Sequence, residues 1–369
     1  MAAAVTSGAG HRVVGVDSGG SGLRVALTRT TADGTGPAEV VVSRTPVRTG
    51  DGGIDAGHLL DQLLPMVREA RSRLGPDGEG PVAALAVGAA GMGTLGGRLR
   101  AELPRALADS LGVRRLALAA DAVTAYAGAL GQRAGTVVAA GTGMIATGTD
   151  LTVWRRADGW GHLLGDCGGG AWLGRAGLEA ALRAHDGRRG GSPALLAAAE
   201  SVFGPAPGLP GRLYPRPDRP AVLASFAPEV ARCATEGDAV AVGILRDAAR
   251  LIADAAEAAC PGSNGEGNGG KGGDNRAGGR GGESTLIALT GGLFGIGDPL
   301  LVPLRSELRD RLPHAEVVRP AGDPLSGSLL IAAALATESL RLPPDPTMLH
   351  LTCDGAPEPS VGEGPPPGG

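Results

Sequence analysis

Lysine is almost absent from this chain of 369 residues, in which Lys271 is the only one. P-loop nucleotide-binding proteins need a lysine directly after a glycine loop, and the protein-kinase fold needs one on a core strand. Lys271 instead lies in a glycine- and asparagine-rich segment, 264–282, which has no apolar periodicity and is expected to be disordered. Both folds are therefore excluded, and any bound phosphate must be held by backbone amides, hydroxyls and a metal ion.

Cysteine and histidine are also scarce, with four and six residues respectively. Neither type shows the close paired spacing that zinc and iron–sulfur sites require. Scattered thiols of this kind are typical of a reducing compartment, so a metal site made of cysteines within one chain is not predicted. The cysteines are Cys167, Cys233, Cys260 and Cys353.

Long apolar runs and strong charge are missing as well. No uninterrupted apolar stretch approaches the roughly 20 residues of a membrane helix, and residues 1–10 lack the pattern of a secretory signal. The formal net charge is −4 and no basic stripe is present, which argues against a nucleic-acid surface. We therefore expect a cytoplasmic protein that binds neither membranes nor nucleic acids.

What the sequence does contain is three apolar strands that each run into a glycine-rich turn. Glycine lets backbone amides approach an anion closely and adopts positive φ without strain, so such turns are suited to phosphate oxygens. Asp17 opens the first turn and is the natural partner for a cation. Three turns spread over both halves of the chain predict a nucleotide held between two lobes. The turn residues are Asp17, Gly19, Gly20 and Ser21, then Gly141, Thr142 and Gly143, then Gly291 and Gly292.

The order of predicted elements indicates an α/β protein of two lobes, 12–120 and 121–340. A strand, a glycine turn and a second strand occur at the start of each lobe, which we interpret as an internal duplication. The second lobe is expected to contain a strand at 151–155 and a helix at 222–236. A flexible insert at 261–283 and a disordered tail at 355–369 complete the prediction.

One stretch carries a specific resemblance. Residues 158–174, DGWGHLLGDCGGGAWLG, closely resemble the signature of N-acetylglucosamine kinases. Together with the paired glycine turns, an aspartate after a strand between them and a late Gly-Gly at a helix start, they make the chain similar to the BadF-BadG-type ATPases and sugar kinases of the actin-like ATPase superfamily. The resemblance covers about residues 13–336 and implies a duplicated, ribonuclease H-like fold with ATP in the interlobe cleft.

The resemblance also implies roles for individual residues on the nucleotide side. Asp17 matches the aspartate that positions Mg²⁺, and the residues after it match the loop that faces the β- and γ-phosphates. The second turn matches a second phosphate loop. Gly291 and Gly292 match the motif that lets backbone lie flat against adenosine. ATP and Mg²⁺ are thus the implied cofactors.

On the acceptor side, Asp121 matches the catalytic aspartate of the family. A sugar hydroxyl is a poor nucleophile at neutral pH, so a carboxylate must take its proton as the new bond forms. Because Asp121 follows a short strand and precedes a helical run, it is equally suited to cap that helix. The sugar-contacting segment is matched by Trp160, Gly161, His162 and Asp166.

Departures from the family pattern fall on the acceptor side. Cys167 stands where many relatives carry Glu or Gln, and Met144 and Ile145 follow the second turn where animal enzymes carry Ser and Asn. The expected activity is ATP-dependent phosphorylation of an amino sugar at its 6-hydroxyl, with N-acetylglucosamine before glucosamine. A BadF-type ATPase that drives a partner and a non-catalytic nucleotide-binding regulator are the alternatives. The sequence leaves the oligomeric state open, a homodimer included.

Overall fold

The structure is a computed structural model that describes residues 10–20, 22–31, 34–50, 53–262, 285–353 and 356–357. Ser21, Lys271 and nearly all of the predicted insert at 261–283 lie outside these residues. Most of the predicted tail also lies outside them. Its described residues, Ala356 and Pro357, form a short strand.

Strands and helices occur in groups along the chain, and several helices begin at a side chain that caps them. Asp55, Ser192, Asp238 and Asp323 each accept a hydrogen bond from an amide of the first helical turn. The helices are α1 (Ala56–Leu74), α2 (Met92–Leu95), α3 (Gly97–Leu111), α4 (Asp121–Leu130), α5 (Gly170–His185), α6 (Pro193–Phe203), α7 (Leu209–Leu213), α8 (Arg219–Ala224), α9 (Ala227–Thr235), α10 (Ala239–Ala259), α11 (Asp298–Arg311) and α12 (Pro324–Ala336), with 3₁₀ turns at Gly75–Gly78, Ala206–Gly208 and Gly292–Ile296.

The strands are β1 (Arg12–Gly19), β2 (Gly22–Thr31), β3 (Gly34–Thr35), β4 (Glu39–Ser43), β5 (Thr49–Gly50), β6 (Gly53–Ile54), β7 (Ala84–Ala89), β8 (Arg115–Ala120), β9 (Gly135–Ala140), β10 (Met144–Thr149), β11 (Trp154–Asp158), β12 (Thr285–Thr290), β13 (Ala315–Val318), β14 (Leu349–Cys353) and β15 (Ala356–Pro357). None of the helices in the described residues is long and apolar enough to cross a bilayer.

The chain forms two compact units, Met1–Gln132 with Ala321–Gly369, and Arg133–Pro320. Helix α4 belongs to the first unit, and α12 returns to it after the whole of the second unit has been completed. The ranges 12–120 and 121–340 expected from sequence order did not include this return. Its physical reason is that α12 is buried against β1 and α4, as its apolar residues require.

In the first unit, β1 pairs antiparallel with β2 and parallel with β7, and β7 pairs parallel with β8. β4 adds to the far side of β2, and β14 adds to β8. The strand order through the centre is therefore β4-β2-β1-β7-β8.

The sheet of the second unit repeats this pattern. Its order is β11-β10-β9-β12-β13, with β9 antiparallel to β10 and parallel to β12. β11 pairs antiparallel with β10, and β13 pairs parallel with β12. The α/β class is confirmed, and the same sequence of parallel and antiparallel neighbours occurs in both units.

Glycine residues allow α12 to pack closely against β1 and α4 in the first unit. A Cβ atom on Gly15 of β1 would lie 2.7 Å from the backbone nitrogen of Leu329 in α12. One on Gly327 of α12 would lie 1.9 Å from the carbonyl oxygen of Thr124 in α4. Because real Cβ atoms do not approach backbone so closely, α12 can lie this close to β1 and α4 only because Gly15 and Gly327 lack side chains.

Candidate functional site

The first glycine turn connects β1 and β2 as a tight hairpin. Asp17 lies opposite Arg24, and Gly19 lies opposite Gly22, so the two strands are only two positions apart in sequence. A Cβ atom on Gly19 or Gly20 would meet nothing within 4 Å, so the backbone here is open to a ligand. Ser21, predicted to face phosphate with them, is not among the described residues.

Asp17 has a partner that sequence reasoning did not find. Arg24 donates from Nε and Nη2 to Oδ2 of Asp17, at 2.9 and 2.7 Å. The third nitrogen, Nη1, donates to Oδ2 of Asp323 at 2.6 Å. Burial acts to lower the pKa of Arg24, but these two carboxylates outweigh it and raise the pKa overall. The guanidinium therefore stays charged and joins the first hairpin to the start of α12.

Asp121 is the first residue of α4, directly after β8, and its side chain is exposed. Its Oδ1 accepts a hydrogen bond from the amide of Ala122 at 2.9 Å. The helix N-cap position itself is occupied by Ala120. The Asp121 carboxylate thus accepts one hydrogen bond from the first turn of its own helix.

Asp17 and Asp121 lie at the same edge of the first sheet. Register places Asp17 beside Gly88 of β7, and Gly88 beside Ala119 of β8. Because β7 lies between β1 and β8, the backbones of β1 and β8 are about 10 Å apart. The carboxyl ends of parallel strands are where α/β sheets bind ligands.

In the second unit, the turn Gly141-Thr142-Gly143 connects β9 to β10 and is held by the start of α5. The amides of Gly170 and Ala171 donate to the carbonyl oxygens of Gly141 and Thr142, at 2.9 and 2.8 Å. Among the described residues, the amides of Thr142 and Gly143 have no acceptor within the chain. These amides are the donors that an anion would use.

Gly291 and Gly292 follow β12, the parallel neighbour of β9. Gly291 has φ of 106° and its α-carbon lies so close to Ala140 that a Cβ atom would be 2.2 Å from the Ala140 carbonyl oxygen. Gly292 starts a 3₁₀ turn, and a Cβ there would meet nothing within 4 Å. The structure thus brings the third glycine turn against the end of the strand that leads into the second.

The sugar-contacting segment predicted at 160–166 is organised by Asp158, which precedes it. Its Oδ1 accepts from the amide of Asp166 at 2.6 Å, and its Oδ2 accepts from the amide of Cys167 at 2.8 Å. Asp158 itself has φ of 61°, a conformation that aspartate tolerates better than most residues. Through its two oxygens, the Asp158 carboxylate therefore holds the end of the loop at 158–167 against its start.

Asp166 lies against the second glycine turn. A Cβ atom on Gly143 would be 2.4 Å from Oδ2 of Asp166, so any other residue at this position would force the carboxylate to shift. The other oxygen, Oδ1, accepts from the amide of Gly161 at 3.0 Å. Burial raises the pKa of Asp166, and the nearby Asp158 carboxylate adds to the rise against the Gly161 hydrogen bond.

Trp160 and His162 are placed differently from each other. Trp160 is 65% exposed, and the Arg156 guanidinium lies 4.6 Å from its ring centroid, a cation–π contact. His162 has a buried Nε2 with no hydrogen-bond partner in the described chain. It lines a 530 Å³ groove with Leu163, Arg175 and Tyr214. The segment therefore offers both a stacking surface and an unused polar atom.

Sequence reasoning missed three residues that organise these turns. Asp158 opens the recognised signature and precedes a glycine, which is a usable turn signal. Asp323 precedes a proline and an apolar run, the usual pattern of a helix N-cap. Arg24 has no local signal, because its partners are defined only by strand pairing and by the return of α12.

The donor set at Asp17 fits a hydrated divalent cation. Oδ1 of Asp17 accepts no hydrogen bond from any described residue, and the side chain is 16% exposed. Within the described residues, no group of three acidic, histidine or cysteine side chains is arranged to hold a metal ion. Mg²⁺ is commonly bound by one or two carboxylates together with water and substrate phosphates, so one carboxylate is sufficient here.

Comparison with known proteins agrees with this geometry. The profile of the BadF/BadG/BcrA/BcrD ATPase family matches residues 8–332. The chain belongs to this ATPase family. A search among proteins with curated descriptions found no match to this chain.

Two solved structures resemble this chain. The "Putative N-acetylglucosamine Kinase" of Chromobacterium violaceum has 28% sequence identity and a TM-score of 0.65, over 88% of this chain and 99% of that chain. A protein of the same description from Porphyromonas gingivalis has 16% identity and a TM-score of 0.58, over 88% and 99%. The second likeness shows the fold alone. The actin-like ATPase fold class predicted from the sequence is confirmed.

Proposed function

We propose that this ATPase-family member is an amino-sugar kinase that transfers the γ-phosphoryl group of ATP to the 6-hydroxyl of its acceptor. N-acetylglucosamine is the first candidate acceptor and glucosamine the second. The observation that carries the proposal is the contact of Asp166 with Gly143. A carboxylate suited to accept hydrogen bonds from an alcohol lies directly against a turn suited to bind phosphate oxygens.

Each group has a part in this proposal. The amides of Thr142 and Gly143 bind phosphate oxygens, and Asp166 orients the acceptor hydroxyl. Asp121 takes the proton of that hydroxyl as its oxygen bonds to the γ-phosphorus and the bond from phosphorus to ADP breaks. Mg²⁺ bound near Asp17 would neutralise charge on the phosphates. Likeness to the Chromobacterium violaceum protein supports an amino sugar as the acceptor.

The deciding experiment is ADP release by the purified protein with ATP, Mg²⁺ and one sugar at a time. The panel contains N-acetylglucosamine, glucosamine, N-acetylmuramic acid, N-acetylmannosamine and glucose. We expect turnover on the order of 10 s⁻¹ with the preferred amino sugar, a typical value for an enzyme. Phosphorus NMR of the product should show phosphate at the 6-position. Equal ADP release with and without every sugar would refute the proposal.

A partner-driving ATPase is the second candidate, and the family match itself favours it. Such ATPases hold an iron–sulfur cluster between subunits through closely placed cysteines. Here Cys233 and Cys260 are buried in the second unit, and Cys353 is exposed in the first. Iron analysis of protein purified without oxygen separates the two candidates. Stoichiometric iron with sugar-independent ATP hydrolysis would favour the partner-driving ATPase.

Asp158→Asn should weaken binding of the sugar without affecting ATP. Asparagine tolerates the same backbone conformation, but its amide group cannot accept both hydrogen bonds, so one part-buried N–H loses its partner. We expect the KM for the acceptor to rise about tenfold and the KM for ATP to stay unchanged, measured by ADP release.

Asp150→Asn is the matched control for that substitution. Asp150 accepts hydrogen bonds from Thr152 and Val153 through Oδ1 alone, so asparagine can keep all of them. Its kinetics should equal those of wild type. An unchanged acceptor KM in Asp158→Asn would show that the loop at 158–167 does not contact the sugar.

A further inference from the structure

Arg24 is held from two sides by acidic residues of the first unit. Both Nε and Nη2 are directed to a single oxygen of Asp17, and Nη1 is directed to Asp323. Asp323 is itself fixed, because its other oxygen accepts from the amide and the hydroxyl of Ser326 at the start of α12. The guanidinium thus has a fixed position beside the first phosphate turn.

This arrangement gives the two carboxylate oxygens of Asp17 different surroundings. Oδ2 is occupied twice by Arg24, whereas Oδ1 accepts nothing from the described residues. The cation-binding capacity of Asp17 therefore rests on one oxygen beside a permanent positive charge. A single carboxylate in this setting is a poor site for a free cation, since Mg²⁺ also needs phosphate oxygens and water to complete its octahedron.

We propose that Arg24 is a positioning residue that makes cation binding at Asp17 depend on bound nucleotide. This inference rests on the nucleotide and metal part of the proposed function. The guanidinium keeps Oδ2 in place and leaves Oδ1 for the cation or its water. Its charge opposes a cation that arrives without phosphates, whereas the negative phosphates outweigh that opposition when both arrive together. The site therefore takes the metal–nucleotide pair in preference to the free metal.

The experiment measures Mn²⁺ binding to the full-length protein by electron paramagnetic resonance, with and without saturating ADP. The quantity of interest is the ratio of the Mn²⁺ dissociation constants without and with ADP. In Arg24→Gln, Mn²⁺ should bind without ADP at least about tenfold more tightly than in wild type, so the ratio falls. Arg24→Lys retains the charge and should keep the ratio of wild type.

Arg29→Gln is the matched control, because Arg29 lies on the same strand and pairs with a different aspartate, Asp77. Its Mn²⁺ ratio should equal that of wild type. The double variant Asp17→Asn with Arg24→Gln should lose the tighter Mn²⁺ binding. That loss would show that the Mn²⁺ bound by Arg24→Gln is at Asp17. A merely structural role for Arg24 would weaken metal binding when the residue is replaced, so tighter binding is specific to this inference.

Two results would overturn the inference. One is an equal ratio in Arg24→Gln and Arg29→Gln. The other comes from Asp323→Asn, which leaves Arg24 beside Asp17 and is informative even if Arg24→Gln does not fold. Its Mn²⁺ affinity without ADP should stay within about threefold of wild type, and tenfold tighter binding would contradict the proposed role. Wild-type protein that binds no Mn²⁺ even with ADP would instead refute the metal part of the proposed function.

Discussion

Asp121→Asn is expected to lower kcat for amino-sugar phosphorylation by about 10²–10⁴-fold. Asparagine has nearly the same shape and can still accept the hydrogen bond from the Ala122 amide. It cannot accept a proton from the acceptor hydroxyl, so only the chemical step should suffer. The dissociation constant for ATP, measured by titration calorimetry, should change by less than about threefold, because Asp121 is not among the proposed phosphate-binding groups.

Asp55→Asn provides the comparison for Asp121→Asn. Asp55 also lies at the start of a helix in the first unit, where it caps α1 through the amide of His58. Asparagine caps helices about as well as aspartate, so stability and kcat should both remain at the wild-type values. A kcat for Asp121→Asn within fivefold of that for Asp55→Asn would show that the Asp121 carboxylate is not the catalytic base.

The glycine turns were predictable from sequence because their cause is local. Each one ends a run of apolar, β-forming residues, and its glycines carry no side chain of their own over the backbone amides. The structure places all three turns at the carboxyl ends of parallel strands, at β1, β9 and β12. The repeated strand order in both units follows from the same local pattern, used twice.

Two secondary-structure predictions in the second unit were wrong in their limits. The helix expected at 222–236 is divided, because α8 ends at Ala224 and α9 begins at Ala227. Phe226 between them is completely buried, and Pro228 lacks the amide that would continue the first helix. The strand expected at 151–155 begins only at Trp154, since Asp150 binds the amides of Thr152 and Val153 in a turn.

The contacts that organise the site were beyond the reach of sequence patterns. Arg24 and Asp323 are separated by the entire second unit, and only the packing of α12 against β1 brings them together. The contact of Asp166 with Gly143 depends on a loop that doubles back on the carboxylate of Asp158. The family resemblance pointed to Asp166 and Gly143 separately. Their contact with each other is a property of the tertiary structure.

Gly327→Ala is expected to destabilise the first unit strongly. The new Cβ atom would lie 1.9 Å from the Thr124 carbonyl oxygen and 2.4 Å from the Gly128 amide nitrogen, so α4 and α12 would have to separate. Overpacking of this kind costs about 3 kcal/mol or more when backbone is the obstacle. We expect the melting temperature, measured by circular dichroism, to fall by about 10 °C.

The opposite sign is expected for the same substitution where the helix surface is open. Gly243 lies in α10, and a Cβ atom there would meet nothing within 4 Å. Gly243→Ala should raise stability by roughly 0.5–1 kcal/mol, because alanine loses less backbone entropy in a helix. Since Asp121 begins α4, the separation caused by Gly327→Ala should also reduce kcat, whereas Gly243→Ala should leave it unchanged. A melting temperature for Gly327→Ala equal to that of Gly243→Ala would mean that α4 and α12 do not need their glycine contact.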